Sequence, residues 1–239
     1  MSVFDLLVVG HVISGTVALI SFWAPVILKK GSLGHIRSGR VFMWSLCVAA
    51  TLACAMGVLN LTLANTRHPT LTDRALFDGL FGWMMIYLGL LSLLLVRYGM
   101  FAIGARHRRI DRRDKKGITA LIIVMLAALK CGVEGVILAQ PLMIALSVLG
   151  FITVGTFART AFFKVPTPQG WLNEHIKAMI AGGISAYTAF LSVGLLRVFP
   201  AQVFNLLVWA VPSAVGVLLI IHHLRVSAKS SAAHSGGRA

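Results

Sequence analysis

Acidic residues are what this sequence has least of. Only 7 Asp and Glu stand among 239 residues, against 22 Lys and Arg, and charged residues of either sign make up 12%. That scarcity, in a chain that is 58% hydrophobic, excludes an ordinary soluble domain or pair of domains. Long runs carry no charge at all, and runs of about 20 apolar residues match a hydrocarbon core about 30 Å thick. The net charge of +15 would point to nucleic acid in a soluble protein. In a membrane protein it reads instead as basic loops meeting anionic lipid head groups, and no nucleic-acid partner is expected.

Cysteine is also scarce. Cys47, Cys54 and Cys131 all fall inside apolar runs, with no C-x-x-C spacing. An odd, unspaced set excludes a disulfide framework and a zinc site of the usual kind. No Lys or Arg precedes the first apolar run: MSVFDLL carries Asp5, and the first positive charges are Lys29 and Lys30. A secretory signal peptide has the opposite order, so the first run reads as an uncleaved helix with its N-terminus outside. No phosphate-cradling glycine loop, nucleophile elbow or kinase signature is present.

What is present is a series of apolar runs. They predict an all-α integral membrane protein of about seven transmembrane helices, at Val3–Leu28, Val41–Leu63, Leu76–Val96, Ile118–Gln140, Leu142–Phe163, Ile176–Val198 and Val203–Leu224. Residues 1–226 then form one transmembrane domain, and 227–239 a small, polar tail expected to be disordered. Pro25 falls near the inner end of the first run, and Pro69, Pro141 and Pro200 break the chain between runs. Ala49, Ala53 and Gly57 recur every four residues, the spacing that lets membrane helices approach closely. With the N-terminus outside, Arg67, Arg74 and Arg197 fall in outer loops and Lys130 within a span. Every other one of the 22 basic residues falls on the inner side. The positive-inside rule therefore places the C-terminus in the cytoplasm, with the chain in a cell's inner (plasma) membrane. The alternative threading arises if the tight 118–163 hairpin is re-entrant. Trp23, Tyr98, Trp171 and Trp209 lie near span ends, where interfacial anchoring accounts for them.

Ionisable groups inside a bilayer mark function by default. At 1.5 Å per residue, His11 sits roughly 12 Å below the outer surface, Glu134 roughly 9 Å and Lys130 roughly 15 Å. Asn60 and Asp78 are shallower on the same side. Lys130 and Glu134 are four apart, on one helix face, where they can pair. A self-satisfied pair that binds nothing is the competing account. A second group gathers at the inner face: His35, Glu174, His175, His222 and His223, with Arg37, Arg40 and Lys177. Imidazoles there could ligate haem iron or a transition metal, although no H-x3-H or H-E-x-x-H spacing occurs. The competing account is contact with lipid phosphates. The basic stretch containing Arg108, Arg109, Arg112 and Arg113 is the remaining candidate surface.

Three places in the chain carry a resemblance. The first is His11-x3-Gly15-x2-Ala18-Leu19, continuing to Lys30-Gly31, His35 and Gly39-Arg40. The second is Glu174-His175-x3-Met179, followed by Tyr187-Thr188-Ala189-Phe190. The third is Trp209-x2-Pro212 before the last apolar run. In these the chain resembles an uncharacterised family of bacterial multi-pass membrane proteins of unknown function. It departs from the family's His-Arg or His-Lys in the first loop, since Ile36 follows His35. The resemblance implies no activity, and it singles out His11, His35, Arg40 and His175. Three function classes follow: a redox protein with haem or metal held by His11, His35, His175 or His222; a proton or small-solute carrier using His11, Lys130 and Glu134; and a non-catalytic assembly or scaffold protein docking through its basic loop.

Overall fold

The computed structural model describes residues 2–67, 73–107, 115–163, 166–191 and 206–236. Among the described residues the chain is all-α, without a strand. The elements are α1 Val3–Ile27, α2 Leu33–Arg67, α3 Arg74–Phe77, a π-helical turn Asp78–Trp83, α4 Met84–His107, α5 Lys115–Ile137, α6 Pro141–Phe162, α7 Pro168–Ala189 and α8 Leu206–Gly236. Among the described residues, six helical stretches are long and apolar enough to cross a membrane: Val3–Ile27, Leu33–Leu63, Arg74–Arg106, Lys115–Ile137, Pro141–Thr160 and Ala210–Ala228. α7 is more polar, and the expected sixth span, 176–198, runs into residues outside the described set. The chain is a multi-pass helical membrane protein.

Helix boundaries depart from the apolar runs for identifiable reasons. α1 starts on a capping box: Ser2 Oγ accepts from the Asp5 amide at 3.2 Å, and Asp5 Oδ2 accepts from the Ser2 amide at 2.7 Å. It ends two residues after Pro25. α2 begins at Leu33, so most of the expected first loop, with His35, Arg37 and Arg40, is helix. Ser32 Oγ starts it by accepting from the His35 amide at 3.2 Å. α5 and α6 are joined by a turn at 138–140, in which Ala139 adopts φ 51°, and Pro141 opens α6. α8 continues beyond Leu224, through the polar stretch, to Gly236.

The chain divides into two compact units. The first comprises Met1–Leu94 and Lys115–Ala158. In it α1 packs along α2, with Phe22 edge-on to Phe42 at 5.4 Å. The small residues of α2 come close to the backbone of the π turn and of α4. A Cβ at Gly57 would lie 3.0 Å from Gly82 O, and one at Gly89 would lie 2.8 Å from Ala50 O. α4, α5 and α6 are stitched by interhelical hydrogen bonds, a device that apolar solvent rewards. Tyr87, fully buried, donates to Leu146 O at 2.7 Å, and Ser147 Oγ donates to Ala128 O at 2.8 Å.

The second unit comprises Leu95–Asp114 and Arg159–Ala239. Here α7 packs against α8, and the Phe101 ring lies edge-on to Trp171 at 5.7 Å. Gln169 Nε2 hydrogen-bonds Ser227 Oγ, while Ile184 fills the space over Gly216. These two contacts set an antiparallel register that puts His222 and His223 at the level of the second turn of α7.

Candidate functional site

In the first unit one set of polar groups, Asn60, Arg74, Asp78 and Lys130, lies about the π-helical turn. Its i→i+5 bonding is seen where the Met84 amide donates to Gly79 O. Such turns are rare and are concentrated at functional sites. A π turn takes carbonyls off the regular ladder, and Asn60, 4% exposed on α2, donates from Nδ2 to Phe81 O at 2.9 Å. Asp78, the first residue of the turn, takes both its oxygens to Arg74 Nε at 2.7 and 2.8 Å. Arg74 also donates to Leu61 O at 3.2 Å. Asp78 is therefore held by a residue expected to be a loop charge, and the i,i+4 spacing of Arg74 and Asp78 was the sequence signal for it.

Trp83, the last residue of the turn, faces α5. Lys130 Nζ lies 4.8 Å from its ring centroid and is ion-paired with Glu134 Oε1. The two side chains are 42% and 19% exposed. Lys130 is seven residues from the end of α5 at Ile137, about 10 Å along the axis. Around it α5 presents Leu126, Leu129 and Val133 outward. A half-exposed ion pair thus sits in the last two turns of an apolar helix, with Glu134 about 5 Å from its end and a cation–π contact on one side of Lys130. The second carboxylate oxygen of Glu134 has no protein partner among the described residues.

The histidines do different work. His11 Nδ1 lies 2.8 Å from Ala49 O and His35 Nδ1 lies 3.0 Å from Pro25 O. A carbonyl only accepts, so Nδ1 carries the proton in both rings. The two contacts clamp the α1–α2 hairpin at its two ends, and they are equally spaced on both helices, from His11 to Pro25 and from His35 to Ala49. The last carbonyls of any helix lack intrahelical donors. Pro25 O and Val26 O receive Lys30 Nζ at 2.7 and 2.6 Å, and His35 completes the cap. Lys30 is partly buried in this position, which pulls its pKa below the ordinary lysine value.

In the second unit the centre is Glu174, 4% exposed on α7. Its Oε2 accepts from the Tyr98 hydroxyl at 3.1 Å and its Oε1 from Lys177 Nζ at 2.8 Å. Tyr98 also bonds the side chain of Thr160, which is buried on α6. One chain of polar groups thus links α4, α6 and α7. Tyr98, expected to be an interfacial anchor, instead holds a buried carboxylate. No local spacing announces this, because 76 residues separate the partners. His175 Nδ1 lies 2.8 Å from Gly99 O, where the absence of a side chain lets α7 come close: a Cβ on Gly99 would meet Met179 and Ala178. His222 is exposed on α8, its ring 5.3 Å from that of His223.

Among the described residues no three His, Cys, Asp or Glu side chains gather as a metal-binding group. His11 and His35 are about 21 Å apart along the hairpin, too far to share an ion or a haem. Arg37 and Arg40 are exposed on the first turns of α2. Arg108, Arg109, Arg112 and Arg113 lie outside the described residues.

Fold and site together define a multi-pass helical membrane protein with a half-open ion pair in one unit and a closed carboxylate network in the other. No protein-family model, curated protein or solved structure matches the chain.

Proposed function

We propose that the chain is an inner-membrane carrier for a proton or a small solute, working through the Lys130–Glu134 pair. The observation that carries this reading is the exposure of that pair within an apolar span. Opposite charges that serve packing alone close against protein, as Glu174 does, or use both carboxylate oxygens, as Asp78 does with Arg74; Lys130 and Glu134 do neither. These remain accessible beside a π-helical turn, with one carboxylate oxygen unused. The basic residues then lie on the cytoplasmic side, the N-terminus is outside, and Arg37 and Arg40 meet anionic head groups. The test is flux in proteoliposomes. Glu134→Gln abolishes transport while the protein still purifies as a folded, monodisperse species. Retained flux refutes the reading.

A second reading, histidine-ligated haem or metal, has one observation in its favour. His11, His35 and His175 each hold Nδ1 against a backbone carbonyl, the arrangement that fixes a ligating imidazole. Against it stand the separation of His11 from His35 and the structural work those bonds already do. An absorption spectrum with metal analysis, on protein from cells supplied with haem and metals, decides it. A Soret band lost in His11→Ala, His35→Ala, His175→Ala or His222→Ala would restore this reading.

A further inference from the structure

The other charged or amide side chains near the two polar centres are engaged. Asn60 is held by the π turn, Asp78 by Arg74, and Glu174 by Tyr98 and Lys177, and the last of these is closed to solvent. The Arg74–Asp78 pair is also part-exposed, but both its carboxylate oxygens are taken by Arg74, whereas Glu134 keeps one oxygen without a partner among the described residues. An ammonium has three donors, and only one partner, Glu134, takes one of them.

We infer that the Lys130–Glu134 pair and the Trp83 ring form a binding site for a small zwitterion, a solute carrying both an ammonium and a carboxylate. This rests on the carrier reading and names its substrate class. The argument is charge balance. In apolar surroundings an incoming anion would take Lys130 and strand the Glu134 carboxylate. An incoming cation would take Glu134 and strand the Lys130 ammonium. Either leaves an unpaired charge, which low-dielectric surroundings penalise heavily. A zwitterion inserted between the two pairs both: its carboxylate goes to Lys130 and its ammonium to Glu134. The site stays neutral, and selectivity against singly charged solutes follows from what they would leave unpaired. The pair can open to admit it, since residues four apart are about 6 Å apart along a helix axis and both side chains are long. Trp83 already accepts one cation at 4.8 Å from its ring, and its face suits a substrate ammonium, a quaternary one included.

The experiment measures binding of radiolabelled glycine, leucine and glycine betaine to the full-length protein in lipid nanodiscs, with acetate and choline as singly charged probes. At least one zwitterion binds, and neither acetate nor choline competes with it. Lys130→Met and Glu134→Gln each weaken binding roughly tenfold or more, the loss of one charged contact. Trp83→Phe, which keeps the packing, weakens betaine more than glycine. Because a charge-removing variant could fail to fold, the swap Lys130→Glu with Glu134→Lys is made as well, and it retains binding. Binding of none of the three zwitterions overturns the inference, and so does equal competition by acetate or choline. Proton flux is followed in proteoliposomes of the same preparation. Glu134-dependent flux without zwitterion binding removes the substrate class and leaves the carrier. Zwitterion binding without any flux removes the carrier and leaves the site.

Discussion

The ion pair on α5 can be asked directly whether it is functional or structural, because the two roles give opposite results when both charges are removed. Breaking a fully buried pair by deleting one partner costs about 3–5 kcal/mol, mostly from the charge left behind. Lys130 is 42% and Glu134 19% exposed, so the cost of Lys130→Met or Glu134→Gln is reduced, to about 1–3 kcal/mol. Deleting both removes the stranded charge, and replacing a whole pair with neutral groups is commonly close to neutral. The double variant is therefore expected within about 1 kcal/mol of the unmodified protein, giving a coupling of a few kcal/mol between the sites. The assay is unfolding in mixed micelles of mild detergent and dodecyl sulfate, followed by circular dichroism, alongside flux in proteoliposomes. A carrier site predicts a stable double variant with no flux. A double variant that is both stable and fully active would refute the functional reading and leave a structural pair. Singles as stable as the parent would refute the depth and burial argument itself.

Three further outcomes follow from the packing. A Cβ on Gly150 would run into the Tyr87 hydroxyl, with Cζ at 3.0 Å and Ala128 Cβ at 3.1 Å. Gly150→Ala alone is expected to cost about 1–3 kcal/mol as overpacking. Combined with Tyr87→Phe it costs less than the two singles summed, and additivity within about 0.5 kcal/mol in the same unfolding assay would count against the contact. His11→Leu and His35→Leu each loosen the α1–α2 hairpin by about 0.5–1.5 kcal/mol. At about 21 Å apart they add, which hydrogen exchange of the α1 amides reads, and unchanged exchange would mean the two contacts clamp nothing. Tyr98→Phe takes a donor from a buried carboxylate and lowers stability by about 1.5–3 kcal/mol, while Lys177→Met acts in the same direction. If Tyr98→Phe leaves the unfolding midpoint in place, the network does not hold Glu174.

The apolar runs made the membrane class and most of the spans legible, because a bilayer demands a length of uncharged helix whatever the rest of the chain does. They were less informative about where helices end. Hydrogen bonding sets that: α2 starts at Leu33 because Ser32 caps it, and α4 runs to His107 through Arg97 and Arg106 because a helix ladder does not stop at the membrane surface. Lys130 with Glu134 was legible from spacing alone, as was the closeness implied by Gly57. The π turn was not, since the two glycines of DGLFGW lower helix propensity without specifying i→i+5 bonding, and the turn takes its place by packing against α2 and α5. Nor were the tasks of His11 and His35. The signal lay in the partner: Pro25 lies in the last turn of a helix whose final carbonyls need donors, and Lys30 and His35 are the nearest candidates.

Hydropathy alone also misjudges which helices lie at the centre of a unit. The α1 span and the Arg74–Arg106 span have the same mean hydropathy, yet 6% of one and 61% of the other is buried in protein. In water an apolar surface must be buried, whereas in a bilayer lipid satisfies it, so α1 exposes Val9, Val12, Ile13 and Ile20 without penalty. What a bilayer cannot satisfy is a polar group. Helices bearing carboxylates, amides and hydroxyls are driven toward other helices, as α7 is with Glu174 and Thr188 both buried. Polarity therefore marks the inside of this protein, and the exception to that rule is informative. Lys130 and Glu134 are charged, lie within a span and are still part-exposed. Asn60, Tyr87 and Glu174, which obey the rule, are each held by a protein partner. An accessible pair has kept room for a partner that the protein does not supply.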